Sequence, residues 1–303
     1  MKIRPAVGAD AEQAAELAST VHPYLVQTPN SFRMAVERAA ADDRHRVWVA
    51  ISDEELVAWA RTGPAAARTE AGIFGLTLIV HPGHRRQGVA TALTERIADH
   101  LARQEVRSLE ALASDGGVAF AAGHGGVPGD VVRYAGLDLR SLRDRPSLPP
   151  GLSVVRLSEL DPRDVHLLYA EAAADIPGQA GYDVSFDWFE SAVWRSTNYN
   201  HQLGAAVLVD SRPAAVTVVA CGGSSIWNDM TGTSAAYRGR GLAKLVKSAS
   251  LRWAAEAGYR HAFTMNNLHN APMLAVNEWL GYHETARQTV MTWSVDAGAD
   301  QAH

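Results

Sequence analysis

The sequence predicts a duplicated α/β protein: two domains of about 150 residues, one after the other. Three observations carry that reading. The six residues Arg-x-x-Gly-x-Ala occur twice, as Arg85-Arg86-Gln87-Gly88-Val89-Ala90 and Arg238-Gly239-Arg240-Gly241-Leu242-Ala243, each between a β-like segment and an amphipathic helix. Arg85 and Arg238 lie 153 positions apart, and nearly the same offset recurs: Lys2-Ile3-Arg4-Pro5 and Val154-Val155-Arg156-Leu157 precede the helical stretches Ala9 to Thr20 and Asp161 to Ala173. A period this long exceeds any solenoid unit and matches a whole domain. Finally, 303 residues with 47% hydrophobic side chains suffice for two buried cores.

In chain order, the first half reads as strand Ile3 to Val7, helix Ala11 to Thr20, helix Ser31 to Ala41, and strands Val47 to Ile51, Glu55 to Thr62 and Gly72 to Val80. The helix after the first motif sets Val89, Leu93, Ile97 and Leu101 at four-residue intervals, one apolar stripe facing a sheet. The second half repeats the plan with strands Ala205 to Asp210, Ala214 to Cys221 and Ile226 to Ser234. Its motif helix carries Leu242, Leu245, Val246, Ala249 and Trp253, with Gly258 as its stop. Val131 to Leu139 and Thr289 to Val295 are both β-rich and terminal. Helices between strands imply a mixed sheet with a parallel portion. Arg143 to Gly151, with Arg-Pro and Pro-Pro-Gly steps, reads as the linker, so the domains are expected at 1–142 and 152–303.

Composition narrows the partners. A formal net charge of -5 argues against non-specific nucleic-acid binding while leaving room for a local anion site. One cysteine, Cys221, excludes an internal disulfide and leaves the cytosol as the default compartment. No stretch approaches a membrane span and no apolar leader opens the chain, so no membrane partner is expected. No side-chain pair has metal-ligand spacing, so no metal is expected. His81 and His84 beside the first turn read as exposed loop histidines ahead of general bases.

A glycine-bearing turn at a helix N-terminus aims free backbone N–H groups and the positive end of the helix dipole at one point. Flanking arginines add charge-assisted donors, and a diphosphate suits such a turn best. The motif and the order of elements resemble the GNAT superfamily of acyl-CoA-dependent N-acetyltransferases, whose signature Arg/Gln-x-x-Gly-x-Gly/Ala follows the fourth strand. Leu78-Ile79-Val80-His81-Pro82 is similar to the family's entry into that turn, and Thr231-Gly232-Thr233 holds the equivalent place in the second half. The resemblance covers nearly the whole chain, twice. It implies two tandem domains, each a mixed, mostly antiparallel twisted sheet with a splayed parallel strand pair flanked by helices. It also implies acetyl-CoA or coenzyme A as cofactor, bound by Leu78, Val80 and Arg85 to Ala90 in one half, and by Thr231, Gly232, Thr233, Arg238 to Ala243, Asn266 and Asn270 in the other. A small-molecule primary amine is the expected partner, attacking the thioester directly, in a monomer or homodimer.

Further resemblance lies in the second half, where Thr264-Met265-Asn266-Asn267, Asn270-Ala271-Pro272-Met273 and Gly281-Tyr282 look like the family's Thr-x-Asn, Asn-x-x-Met and Gly-Phe/Tyr series. Asn270 is also a good N-cap, with Pro272 in the first turn. Many relatives carry a tyrosine seven positions after that asparagine, where its hydroxyl protonates the leaving thiolate. Here the position is Asn277, so either Asn277 only orients the thioester or water or another side chain is the acid. Tyr282 reads as packing ahead of catalysis. Asp229 stands two residues before Thr231, and strand alternation would set both on one face, making Asp229 a base acting through water or a strand-end residue bonding a nearby loop. Asp175 and Tyr182 are the expected substrate-binding residues: Asp175-Ile176-Pro177 resembles an acidic segment of tandem relatives, and the loop Gly178 to Tyr182 could wall the pocket with Phe186 to Phe189, although Trp188 and Phe189 are more often core.

In the first half, Ser114 to Gly117 and Gly123 to Gly126 replace the asparagine-rich turn and final helix, which points to a structural or vestigial coenzyme site there. Catalysis in the second half is therefore the leading expectation. Catalysis in the first half remains the enzymatic alternative, a non-catalytic coenzyme-binding or ligand-sequestering module is the other, and protein lysines are a less favoured acceptor.

Overall fold

Both halves start the same way, with a short strand followed by a helix. The computed structural model describes residues 1–65, 70–144, 146–176 and 184–294. The first half holds β1 (Lys2–Pro5), α1 (Ala11–Val21), α2 (Pro29–Ala41), β2 (Arg46–Ser52), β3 (Glu55–Pro64), β4 (Ile73–Val80), α3 (Val89–Leu101), β5 (Ser108–Ala113), α4 (Asp115–Gly123) and β6 (Val127–Asp138). The second holds β7 (Leu152–Arg156), α5 (Pro162–Ala174), α6 (Phe186–Phe189), β8 (Ala205–Val209), β9 (Arg212–Gly222), β10 (Ser225–Thr233), α7 (Leu242–Glu256), β11 (His261–Asn267), α8 (Ala271–Leu280) and β12 (His283–Ser294). Thr28 caps α2 by accepting from Ser31 N, and Asp161 caps α5 by accepting from Arg163 N, each with proline at the next position. The duplication reaches the hairpins: Asp53 and Glu54 between β2 and β3, and Asp210 and Ser211 between β8 and β9, all have φ between 49° and 68°. Two-residue turns with both central residues left-handed match the twist of the flanking strands.

The chain divides into two compact units, Met1–Val131 with the chain from Arg287 onward, and Val132–Ala286. In the first, the strand order is β1-β2-β3-β4-β5; β4 and β5 are parallel, and Thr289 to Ser294 of β12 run antiparallel to β5. In the second, the order from β7 is β8, β9, β10, β11, with β10 and β11 parallel and Val132 to Asp138 of β6 antiparallel to β11. Each unit is thus a mixed, mostly antiparallel sheet with one parallel pair and helices on its faces. Each is completed by the last strand of the other half, so the compact units differ from the sequence halves by that exchange. β6 and β12 are counterparts in the duplicated plan, so either can pair beside the strand that follows the motif helix.

Two helices differ from expectation. The glycine-rich stretch of the first half does contain a final helix, α4, despite Gly116, Gly117 and Gly123. Ala119, Ala121 and Ala122 supply helix propensity and Ala121 is buried, which offsets part of the cost of about 1 kcal/mol per glycine. The stripe expected on α7 is present, but Lys247, Ser248, Ser250 and Leu251 are buried as well, so α7 is covered on nearly every side. Its apolar residues join two clusters, one under β8 and β9 with Leu245, Val246 and Ala249, the other with Ile226, Leu251, Leu280 and Tyr282.

Candidate functional site

The two glycine turns share one geometry. A 3-10 turn follows β4 at Pro82–His84 and β10 at Ala235–Tyr237. Left-handed residues then alternate: Arg86 (φ 62°) and Gly88 (φ 78°) in one unit, Gly239 (φ 75°) and Gly241 (φ 77°) in the other. A Cβ at Gly88 or Gly241 would meet nothing within 4 Å, so these glycines serve the backbone angle and leave the space above the turn open. Arg85 Nε donates to Val80 O (3.4 Å) and Arg238 Nε to Thr233 O (3.1 Å), while Gln87 and Arg240 each bond back to the carbonyl four residues earlier. Val89 and Leu242 are buried and pin the helices, and Ala90 and Ala243 follow half-buried. Among the described residues, no acceptor takes the backbone N–H groups of Arg86 to Ala90 or of Gly239 to Ala243. Five consecutive open donors at the positive end of a helix fit a diphosphate.

The turns differ in charge. Arg238 pairs with Asp175 and lies 4.0 Å from Glu171, whose carboxylate also accepts Ala235 N at 2.7 Å. Asp175, expected to meet substrate, is thus held against the Arg238 turn. Among the described residues no carboxylate pairs with Arg85 or Arg86. The residue 153 positions before Asp175 is His22, whose basicity is lowered by burial and then by Arg85.

Beyond the turns the parallel pairs open. β4 pairs with β5 only from Ile73 to Leu76, leaving Leu78 and Val80 past the opening, half-buried against α3. β10 pairs with β11 only from Ser225 to Trp227; at the next step Thr264 Oγ1 donates to Asn228 O (3.0 Å), and the strands part. On its other side β10 carries a bulge, since Asn228 faces Val219 and Met230 faces Val218, with Asp229 as the extra residue. That corrects the alternation argument: Asp229 and Thr231 are not related by simple pleating. Thr231 instead shares a 2.8 Å hydroxyl contact with Thr217 across the strands, and Gly232 lets α5 approach, because a Cβ there would lie 2.3 Å from Ala172 Cβ. The bulge turns the Asp229 carboxylate toward three donors: Tyr199 Oη (2.9 Å), Trp227 Nε1 (3.2 Å) and the Tyr169 hydroxyl. Asp229 keeps an open surface while protein crowds its other sides. That burial pushes its carboxyl up, the three donors oppose the shift, and burial together with Asp229 drives both phenols upward.

A second polar group is drawn from β11, α7, α8 and the turn between α8 and β12. Asn277, 2% exposed, donates from Nδ2 to Asn266 Oδ1 (2.7 Å), and its own Oδ1 has no partner. Asn270 caps α8 by accepting from Met273 N, as expected. Tyr282 donates its hydroxyl to Asn228 Oδ1, and the Lys247 ammonium stands 5.1 Å from the Tyr282 ring centroid. Burial alone lowers Lys247 to about 7.

Comparison with known proteins then bears on the family and the fold. The acetyltransferase (GNAT) family model matches residues 11–125. A GCN5-related N-acetyltransferase from Sphaerobacter thermophilus superposes with a TM-score of 0.74 at 17% identity, over 99% of this chain and 97% of that one. A tandem GNAT protein from the clavulanic acid biosynthesis pathway superposes at 0.72 and 22% identity, over 97% and 98%. Residues 11–125 match the GNAT family, and the chain as a whole has the fold of tandem GNAT proteins. A glucosamine N-acetyltransferase region of a fungal multi-domain β-N-acetylglucosaminidase gives a TM-score of 0.65 at 14% identity, over 96% of this chain and 38% of that one. No curated protein matches the sequence.

Of the expected residues, the structure joins Asn277 to Asn266, sets Arg238 to Ala243 in a turn after β10, and leaves Asp229, Thr231 and Asn270 with separate partners, Tyr199, Thr217 and Met273 N. Tyr182 and the rest of its loop lie outside the described residues. Phe189 is fully buried against Tyr169 (5.2 Å between centroids) and Trp194 (6.0 Å), so it belongs to the core, with Trp188 half-buried beside it. His81 caps its own 3-10 turn through Gly83 N. Sequence reasoning missed Tyr169, Tyr199, Trp227, Asn228 and Lys247. Only Trp227 had a local signal, two residues before Asp229 on one strand.

Proposed function

We propose that the chain is an acetyl-CoA-dependent N-acetyltransferase that acylates a primary amine of a small molecule, with catalysis in the unit formed by Val132–Ala286. The observation that carries this reading is the Asp229 carboxylate, held by three donors at the bulge where β10 leaves β11, beside the turn that opens α7. Bound acetyl-CoA would supply an electrophilic thioester. The five open N–H groups from Gly239 to Ala243 would hold its diphosphate, and the unpaired edge of β10 beyond Trp227 would pair with its amide-bearing arm and donate to the thioester oxygen. Asn277, tied to Asn266, would orient the acyl group. Asp229, made more basic by burial and fixed by Tyr169, Tyr199 and Trp227, would take the amine's proton directly or through one water.

A specific observation favours a second reading for the other unit. Its turn has no carboxylate against Arg85 or Arg86, and the family match lies there, so coenzyme binding or catalysis by that unit is the alternative. The test is release of free thiol from acetyl-CoA with a panel of primary amines. Asp229→Asn should lower the rate about 100-fold; an unchanged rate refutes the role, and no release with any amine favours a binding module.

A further inference from the structure

Asn277 leaves the leaving sulfur without an acid, because an amide donates no proton at neutral pH and its Nδ2 is already given to Asn266. Lys247 reaches toward the opening between β10 and β11 through Tyr282. It projects from α7 with 1% exposure, and its ammonium faces the Tyr282 ring, whose hydroxyl bonds Asn228 at the step where β10 and β11 separate. No carboxylate pairs with it among the described residues, although an unpaired buried ammonium is costly. Of the other charged groups on or packed against α7, Lys244 lies over Trp279, Arg252 donates to Arg143 O, Arg156 lies over Trp253, Glu278 pairs with Arg133, Asp229 is held by Tyr199, and Glu256 is exposed at the helix's last position. Tyr282 is therefore the titratable side chain that Lys247 faces. Buried Asn228 Nδ2, on the side chain that Tyr282 bonds, has no hydrogen-bond partner, nor have Asn277 Oδ1 on α8 and Ser250 Oγ on α7, which leaves unmet polar capacity in this unit.

We infer that Lys247 is the proton donor to the coenzyme sulfur in this unit, taking the place of the family's tyrosine. The assignment rests on the proposed catalytic role of Val132–Ala286. As the amine nitrogen bonds to the acyl carbon, the carbon–sulfur bond breaks and the sulfur's electron pair takes a proton from Lys247 Nζ. The amine's own proton goes to Asp229, and exchange with water resets both groups, so the sum is amine plus thioester giving amide plus thiol. A group half-protonated near pH 7 is well matched to such a transfer.

The test uses the full chain carrying Gly88→Glu, so that only the second turn remains open. Coenzyme A is bound and its thiol titrated by thiolate absorbance, with desulfo-coenzyme A as the blank. With Lys247 present the bound thiol should be at least about tenfold more acidic, one pKa unit, than in Lys247→Met; equal thiol pKa values overturn the assignment. Kinetically, Lys247→Met should lose about 100-fold in kcat with acetyl-CoA but little with an aryl thioester, whose thiolate leaves without protonation; equal losses with both donors indicate a structural role and also overturn it. In the unmutated chain, which needs no variant to fold, kcat with acetyl-CoA should fall above pH 7 and kcat with the aryl thioester should not; the same limb with both contradicts the assignment. If coenzyme binding survives Gly241→Glu in this background, the catalytic reading of the unit fails and Lys247 falls with it. Binding lost in Gly241→Glu, with a thiol pKa indifferent to Lys247, removes Lys247 alone.

Discussion

Replacing Lys247 with Met should stabilise the protein, most strongly at mildly acidic pH. The side chain is buried, and the two residues have similar length, so the change removes a desolvated charge and leaves the packing filled. A depression from 10.5 to about 7 corresponds to about 5 kcal/mol withheld from folding when the amine is protonated in both states. Between about 7 and 10.5 the unfolded chain binds more protons at this site than the folded one, so stability rises with pH across that window. Below the window the full penalty applies; above it there is none. Urea unfolding at pH 6, 8 and 10, with hydrogen exchange of the α7 amides to locate the effect, should show Lys247→Met ahead by about 3–5 kcal/mol at pH 6 and a gap that closes by pH 10. A gap independent of pH, or a variant less stable than wild type at pH 6, would refute a buried, unpaired ammonium.

Three further outcomes follow from particular contacts. Asp229 has a raised folded pKa, so its contribution to stability is fullest below the ordinary carboxylate range and is lost as pH rises through the folded value; Asp229→Asn should therefore match or exceed wild type in Tm at pH 7, with the difference shrinking toward pH 4. Asp175→Asn frees Arg238 from an exposed ion pair, and isothermal titration should show coenzyme A binding up to about fivefold tighter, whereas weaker binding would mean the pair holds the turn in shape. Glu54 has a φ of 68° in a two-residue hairpin, so Glu54→Gly should raise stability by about 0.5–1 kcal/mol in urea melts, the left-handed strain relieved exceeding the added chain entropy.

Much of this arrangement was legible because it is local. The turns at Arg85 and Arg238, the cap at Asn270 and the strands on either side obey spacing rules that a few consecutive residues satisfy. α4 was hidden by its glycines, whose propensity cost its alanines and packing offset in part. The bulge at Asp229 depends on how β10 registers against β9, which the sequence of β10 alone does not express. Tyr169 and Tyr199 lie 60 and 30 positions before Asp229 and meet it only through the fold. Lys247 falls off the apolar stripe of α7 and reads as a solvated lysine; its burial comes from Tyr282 and the elements that cover that face. The exchange of β6 and β12 is invisible in principle, because duplicated strands carry nearly interchangeable pairing information.

The most direct test of the central claim is thiol release from acetyl-CoA by two matched variants. A glutamate at either glycine would strain a left-handed position and repel a diphosphate. If Val132–Ala286 performs the chemistry, Gly241→Glu abolishes amine-dependent thiol release and Gly88→Glu retains it. Loss of turnover in Gly88→Glu with activity kept in Gly241→Glu would place the chemistry in the other unit and contradict the account.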